Sequence, residues 1–195
     1  MVLPIVAYGD PVLRKMCTDI SADYPNLKDL ISNMFQTMEA SRGVGLAAPQ
    51  IGLPIRLFVV DAAPFADDDE LTKEEQTFLE NFRKVFINAK IIEETGDKWS
   101  FNEGCLSIPG VRGDVSRHER LTIEYLDENF QPQVLTVDGL AARIIQHEYD
   151  HIQGVLFTDK LSAFKKRILQ GKLTDISKGK VNVDYRMRFP DVRRK

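Results

Sequence analysis

Apolar residues recur at helical spacing in two parts of the chain. Between about residues 26 and 40 they fall on one face of a helix, at Leu27, Leu30, Ile31, Met34, Phe35 and Met38. From Leu140 to Gln153 they again follow helical intervals, behind Asp138 as a candidate N-cap and ahead of Gly154, which is suited to end a helix. The pattern therefore predicts an N-terminal amphipathic helix and a second helix late in the chain.

Other apolar runs have the length and spacing of β-strands. They lie at 55–61, 85–94, 121–126 and 133–137. Short connections between them favour antiparallel pairing. A basic helical piece follows near 161–170, and VNVDYRMRF at 181–189 alternates apolar and polar positions strictly, which predicts a C-terminal strand. We expect an α+β fold in which antiparallel or mixed β-sheets pack around the second helix.

Two segments fit neither regular pattern. GVGLAAPQIG at 43–52 is too rich in small residues for a helix and too broken for a plain strand, so we interpret it as backbone that another part of the molecule approaches closely. The acidic, irregular stretch at 62–84 is interpreted as a surface insertion that holds a helical turn, and residues 190–195 as a basic tail. The length favours one domain over residues 1–195.

Composition and charge narrow the class of protein. The chain is 43% hydrophobic and 28% charged, which is ordinary for a soluble globular protein. A formal net charge of -3 gives no broad positive field, so direct nucleic-acid specificity and binding to anionic membranes are not expected. No segment has the roughly 18 consecutive apolar residues of a membrane span, and the start lacks a signal-peptide pattern, so we expect a cytoplasmic location.

The stretch QHEYDH at 146–151 lies inside the second predicted helix and points to metal chemistry. Residues four apart on a helix are neighbours on one face, so the imidazoles of His147 and His151 can converge on one ion. Glu148 is rotated by roughly 100° from His147, which suits it to flank a metal-bound water as a base rather than to ligate. The remaining histidine, His118, is expected at a strand edge or on the surface.

The residues alone leave the third metal ligand open. In the pattern H-E-x-x-H-x-x-G-x-x-H, Phe157 takes the place of the third histidine, and phenylalanine cannot bind a metal. The candidates are a downstream carboxylate such as Asp159, or a cysteine. Cys105, in FNEGCLSIPG, is expected in a tight and partly exposed turn, whereas Cys17 lacks such neighbours and is interpreted as a core residue.

Three short motifs, taken together, resemble those of the peptide deformylase family. They stand in the family's order as GVGLAAPQ at 43–50, EGCLS at 103–107 and QHEYDH at 146–151, and the resemblance covers roughly residues 1–160. It implies a single catalytic domain around a metal-binding helix. It also implies three metal ligands, namely Cys105, His147 and His151.

The resemblance assigns further roles around that metal. Glu148 is implied to act as general base and acid. Gln50 and the backbone N–H of Leu106 are implied to hold the oxyanion that develops during the reaction. Gly45 is implied to supply a backbone contact to the substrate.

Selection of methionine requires an apolar pocket beside the metal-binding helix, for which the candidates are Val44, Leu106 and Ile144. Arg112, after the cysteine motif, is a candidate for a substrate contact or for a salt bridge. Arg143 lies on the same helix face as both histidines of the motif. Its aliphatic stem is predicted to line the pocket, with the guanidinium reaching solvent or a substrate carbonyl.

The reaction implied by the resemblance is removal of the N-formyl group from N-formylmethionine at the start of nascent polypeptides, with release of formate. A metal-bound water would attack the formyl carbon, with Fe²⁺ as the native ion and Zn²⁺, Ni²⁺ or Co²⁺ able to replace it. Transient contact with the ribosome and no membrane association are further expectations. Two alternatives remain open: a general metallopeptidase with Asp159 or another carboxylate as third ligand, and a non-catalytic protein with a structural metal or none.

Overall fold

The computed structural model describes residues 1–190, so residues 191–195 of the predicted tail lie outside the described part. The helices are α1 (Leu27–Ala40), α2 (Lys73–Glu80), α3 (Gly139–Ile152) and α4 (Ala163–Ser177). The strands are β1 (Ile5–Val6), β2 (Gly45–Ala47), β3 (Leu57–Asp61), β4 (Arg83–Cys105), β5 (Ile108–Leu126), β6 (Pro132–Asp138) and β7 (Met187–Arg188). This arrangement confirms the α+β class that the sequence predicts.

The main sheet is antiparallel and has the strand order β2-β3-β4-β5-β6. Within it, β4 and β5 form a hairpin of 23 and 19 residues, whereas the apolar pattern predicts strands only at 85–94 and 121–126. Residues 93–98 are mostly exposed and polar, so no hydrophobic periodicity marks them. Interstrand pairing nevertheless extends the hairpin beyond the core to a turn at Leu106 and Ser107.

Strand β3 points its side chains alternately to the two faces of the sheet. On one face, Phe58 lies in a buried cluster with Ile145 of α3, and its ring stacks on Phe86 of β4 with 4.7 Å between centroids. On the other face, Val59 lies in a cluster with Met34 of α1. Burial of each such apolar side chain stabilises the folded state by about 1.5 to 3 kcal/mol. The sheet therefore separates α1 from α3, and α3 is the central helix.

The segment at 62–84 is tied to the core although much of it is exposed. Residues 67–70 are exposed, but Leu79 and Phe82 are buried in the apolar cluster that also contains residues of α3. Thr72 caps α2 by accepting a hydrogen bond from the backbone N–H of Glu75, whose side chain binds back to Thr72. This capping box explains why a regular helix forms in a stretch of irregular composition.

The C-terminal strand is much shorter than the alternation at 181–189 predicts. Only Met187–Arg188 pair with another strand, in parallel with Ile5–Val6 of β1. A strand extends only as far as its partner, and β1 offers two residues. The preceding helix α4 runs to Ser177, past its predicted end near 170. Neither α4 nor any other helix within residues 1–190 has the length and the apolar run that are needed to cross a bilayer.

Candidate metal centre and active site

Two elements supply the four side chains at the centre of the site. Cys105 ends β4 at the hairpin turn, and His147, Glu148 and His151 lie on α3. The ligand atoms of the cysteine and the two histidines all lie within 4.8 Å of one another, and Sγ of Cys105 is 3.3 Å from Nε2 of His151. Residue spacing alone left the third member of the group open, the three motifs implied Cys105, and the fold brings this cysteine to the histidine pair.

Asp159 and His118 do not join this group. Asp159 accepts hydrogen bonds from Nη1 of Arg14 at 2.5 Å and from the backbone N–H of Leu156 at 2.9 Å. Nδ1 of His118 lies 2.9 Å from the carbonyl oxygen of Gly96 on the long hairpin. Within residues 1–190, the one group of converging metal-binding side chains contains neither of them. A metal site built on Asp159 therefore has no support in the geometry.

Glu103 fixes the orientation of His147. Its carboxylate accepts a hydrogen bond from Nδ1 of His147 at 2.9 Å, which leaves Nε2 of that ring for the site. Arg117 donates two further hydrogen bonds to the same carboxylate, at 2.7 and 2.9 Å. Burial alone would raise the pKa of Glu103, but the hydrogen bonds from Arg117 and His147 outweigh it and hold the pKa well below its usual range. The charged carboxylate thus keeps the imidazole in one tautomer.

Arg143 lines the cavity over the site, as predicted, but its guanidinium does not reach solvent, contrary to the prediction from the sequence. It is 2% exposed, and its guanidinium donates to Oε1 of Glu103 at 3.0 Å and to the carbonyls of Val115 and Trp99 at 2.9 and 2.7 Å. The guanidinium carbon also lies 4.3 Å from the centroid of the Trp99 ring. A buried carboxylate requires such partners. Helical spacing could not reveal them, because they lie on other elements.

Glu148 is buried beside the histidine pair. Its Oε2 has no hydrogen-bond partner within residues 1–190, and burial raises the pKa of its carboxyl to about 7. A Cβ atom at Gly45 would lie 2.5 Å from Oε1 of Glu148. Only glycine leaves room for the carboxylate at this point. The small-residue pattern at 43–52 indicated a close approach, but it did not reveal that Glu148 is the approaching group.

The two imidazoles have opposite pKa shifts. Burial would lower the pKa of His147, but hydrogen bonds with Cys105 and Glu103 outweigh it and raise the pKa well above the ordinary value. Burial and the charge on His147 lower the pKa of His151. Binding of a cation to neutral imidazoles would therefore release a proton. One thiolate and two imidazoles form a donor set that fits a divalent transition-metal ion.

Gln50 is held with its amide nitrogen toward Cys105. Its Oε1 accepts a hydrogen bond from the backbone N–H of Ala47 at 2.8 Å. Its Nε2 lies 3.5 Å from Sγ of Cys105 and 3.4 Å from the hydroxyl of Ser107, to which it donates. The side chain is 1% exposed. Buried contacts therefore fix the amide beside the group of converging ligands.

A cavity of about 690 Å³ opens over these groups. The five residues predicted to contact substrate all line it, namely Gly45, Val44, Leu106, Ile144 and Arg112. Ile144 is buried in the cavity wall. Arg112 is exposed, and its Nε donates to the side-chain oxygen of Asn102 at 2.8 Å. The cavity thus has an apolar wall near α3 and a charged, exposed rim.

Known proteins resemble the chain over nearly its whole length. The family model described as polypeptide deformylase matches residues 2–167. Peptide deformylase of Christiangramia forsetii is 62% identical over 194 residues, covering 100% of this chain and 99% of that protein. Peptide deformylase of Flavobacterium johnsoniae is 61% identical over 189 residues, covering 97% and 96%. The crystal structure of peptide deformylase from Thermus thermophilus has a TM-score of 0.78 at 38% identity, covering 92% of this chain and 99% of that chain.

Proposed function

The chain belongs to the polypeptide deformylase family, and on that basis we propose a role for each residue of its site. It is an enzyme that removes the N-formyl group from nascent peptides. One observation carries the residue assignment: the ligand atoms of Cys105, His147 and His151 gather within 4.8 Å beside the buried carboxylate of Glu148. This arrangement supports three metal ligands and one proton carrier that does not ligate.

Cys105, His147 and His151 would hold the metal ion on which this family depends. Three protein ligands leave one coordination position for a reactant, which is typical of a catalytic rather than a structural site. We propose Fe²⁺ as the native ion, with Zn²⁺, Ni²⁺ or Co²⁺ able to replace it. When bound, the ion supplies Lewis acidity, which polarises the formyl oxygen and acidifies a water molecule.

Glu148 carries protons in the proposed reaction. A pKa of about 7 suits its carboxyl both to accept and to donate a proton near neutral pH. The carboxylate takes a proton from the water that attacks the formyl carbon. It then donates this proton to the nitrogen of the leaving amine, so the C–N bond breaks and formate and a free amino terminus are released.

Two N–H donors stabilise the negative charge that develops on the formyl oxygen. One is Nε2 of Gln50, which buried contacts hold in place. The other is the backbone N–H of Leu106, directly after Cys105. Because donors fixed in advance need no reorganisation during the reaction, loss of one costs about 2.7 to 4 kcal/mol of the activation barrier.

The cavity supports binding of an N-formylmethionyl peptide. Val44, Leu106 and Ile144 offer apolar surface for the methionine side chain. Gly45 is proposed to contact the peptide backbone, and Arg112, at the exposed rim, to contact the rest of the substrate. The substrate would therefore lie along the 43–45 segment with its formyl group toward α3.

We also propose a setting for the reaction. The chain forms a single catalytic domain over residues 1–195, a proposal supported by one sheet that draws its strands from residues 45 to 138. It acts in the cytoplasm and meets nascent chains through transient contact with the ribosome. A net charge of -3 supplies no broad positive field, which supports the proposal that the chain has no direct nucleic-acid specificity.

Anaerobic purification, elemental analysis and a formate-release assay on formyl-Met-Ala-Ser test the function and the ion together. We expect one equivalent of divalent metal per chain, with iron predominating, and release of formate from the peptide. Protein that holds a full equivalent of metal and releases no formate would contradict the proposed activity.

Cys105→Ser tests the ligand assignment, with Cys17→Ser as a matched control. Cys17 is buried in the apolar core, as the sequence predicts, and burial raises the pKa of its thiol to about 11. We expect Cys105→Ser to lose both metal and formate release, and Cys17→Ser to keep both. Normal metal content in Cys105→Ser would show that another group, such as a carboxylate, completes the site.

A further inference from the structure

The segment at 182–185 forms part of the wall of the substrate cavity. Its lining residues are Asn182, Val183, Asp184 and Tyr185. They lie beyond residue 167, where the match to the family model ends. Pairing with β1 holds the chain here, because Ile5 N–H donates to the carbonyl of Arg186 at 2.9 Å. A part of the chain outside the three sequence motifs therefore borders the proposed reaction site.

Tyr185 reaches from this segment to the hairpin turn of β4 and β5. Its hydroxyl donates to the carbonyl of Leu106 at 2.7 Å, and both side chains pack against the same apolar cluster. Leu106 stands between Cys105 and Ser107, whose hydroxyl accepts the hydrogen bond from Gln50. The Tyr185 hydroxyl thus binds the backbone between Cys105 and Ser107, on which the proposed donor N–H of Leu106 also lies.

The turn itself depends on support from outside. The pairing of β4 with β5 leaves Leu106 and Ser107 as its two central residues. Two-residue hairpins favour type I′ and II′ turns, which need a positive φ at the first central residue, and neither Leu106 nor Ser107 has one. Each carbonyl is instead held by a distant residue. That of Leu106 accepts from Tyr185, and that of Ser107 accepts from the backbone N–H of Tyr8 at 2.8 Å.

We propose that Tyr185 is a positioning residue for deformylation that acts through Leu106. By holding the Leu106 carbonyl, its hydroxyl restricts rotation of the adjoining peptide units and keeps the Leu106 N–H aimed at the formyl oxygen. The inference rests on the proposed role of that N–H as an oxyanion donor. A donor that is misaligned before the reaction stabilises the developing charge less well, so the effect falls on the chemical step.

Tyr185→Phe tests this, since it removes the hydroxyl and keeps the ring. We expect kcat for formyl-Met-Ala-Ser to fall about 3- to 10-fold, the size implied by loss of one neutral hydrogen bond. KM and metal content should stay at wild-type values, because neither substrate binding nor metal ligation uses this hydroxyl. The melting temperature should fall by no more than about 2 to 4 °C, the usual effect of losing one hydrogen bond in a chain of this size. Tyr24→Phe is the matched control, since its ring packs against the same apolar cluster from the loop before α1, and its kcat should not change.

Several results would overturn the inference. They are an unchanged kcat in Tyr185→Phe, a rise in KM alone, or a fall in kcat that accompanies loss of metal or a drop in melting temperature well beyond that expected for one hydrogen bond. In each case formate release by the wild type and its loss in Cys105→Ser would still stand, so the proposed function would survive. A wild type that releases no formate would instead defeat the proposed function itself.

Discussion

At the level of single residues, Glu103 orients one side chain of the proposed metal site without being one of its proposed ligands. It lies two residues before Cys105 and accepts hydrogen bonds from His147 on α3 and from Arg117 on β5. Arg143 adds a third partner, so the buried carboxylate is well compensated. Because this carboxylate fixes the imidazole, the orientation of His147 as a proposed ligand depends on a residue that contacts neither the metal nor the substrate.

Glu148→Gln separates proton transfer from metal binding. The amide has nearly the shape of the carboxylate and fits the space beside Gly45, but it cannot take a proton from water. We expect kcat to fall by about 10² to 10⁴, the usual contribution of a general base, while metal content stays at one equivalent. Steady-state kinetics and elemental analysis provide the measurements. Glu124→Gln, on an exposed strand position, makes the same change of charge and should retain wild-type kcat.

Retention of activity in Glu148→Gln would refute the proposed role of this carboxylate. Loss of metal together with activity would point to Glu148 as a ligand instead. A purely structural metal, the non-catalytic alternative, predicts full metal content and no formate release in the wild type as well, because such a site gains nothing from a base beside the ion.

At the level of secondary structure, the turn of the long β4–β5 hairpin lies beside the central helix α3. Cys105 stands at this turn, next to the imidazoles of His147 and His151, which lie one helical turn apart on α3. The chain that leaves α3 is fixed in turn, because Asp159 in the 3₁₀ turn Phe157–Lys160 pairs with Arg14 in the 3₁₀ turn Pro11–Arg14. This contact positions the end of the helix without taking part in the site.

Asp159→Asn should affect stability in a pH-dependent way and leave the chemistry intact. Burial raises the pKa of Asp159, but hydrogen bonds from Arg14 and the Leu156 N–H outweigh it and lower the pKa. A lowered carboxyl pKa stabilises the fold above the unfolded-state value of about 3.9, and this contribution is lost as the pH falls below it. The pair is half exposed, so we expect a loss of no more than about 1 kcal/mol at pH 7.

Urea unfolding near pH 7 and near pH 3 measures the difference in unfolding free energy between the variant and the wild type, which should be smaller at pH 3 than at pH 7. Formate release and metal content of Asp159→Asn should equal those of the wild type. A variant that loses its metal would restore Asp159 as a candidate ligand, and a stability difference that grows toward acid pH would contradict the assigned direction of the pKa shift.

At the scale of the whole molecule, the proposed ligands join the main sheet to the helix that packs on it. An ion bound by Cys105, His147 and His151 would therefore bind the folded chain far better than the unfolded one. Such binding stabilises the folded state in proportion to the logarithm of ion concentration over Kd. The metal would contribute to the fold as well as to the reaction.

Removal of the ion with a chelator should lower the melting temperature. At an ion concentration of about 100 Kd the stabilisation is about 2.7 kcal/mol, which corresponds to roughly 5 to 10 °C for a chain of this size. Differential scanning calorimetry of holo, chelated and reloaded protein provides the measurement. The melting temperature of Cys105→Ser should not respond to the chelator, and an unchanged wild-type transition would argue against an ion that bridges sheet and helix.

Local sequence patterns were enough to locate the two main helices and the histidine pair. Helical periodicity located α1 and α3 to within a residue at each end, because each helix buries one face. The spacing of His147 and His151 predicted that their imidazoles converge, since residues four apart on a helix lie on the same face. The three motifs together were specific enough to indicate the family, and the small residues at 43–52 indicated a close approach of another group.

The contacts between residues far apart in the chain became known from the fold. It placed Cys105, which the motifs had implied, and not Asp159 beside the histidines. It also turned Arg143 inward to Glu103, placed the Glu148 carboxylate against Gly45, and reduced the terminal strand to two residues. These outcomes depend on strand register, on the partner available to a strand and on the compensation of buried charge. Such effects join residues far apart in the chain, so no local periodicity could reveal them.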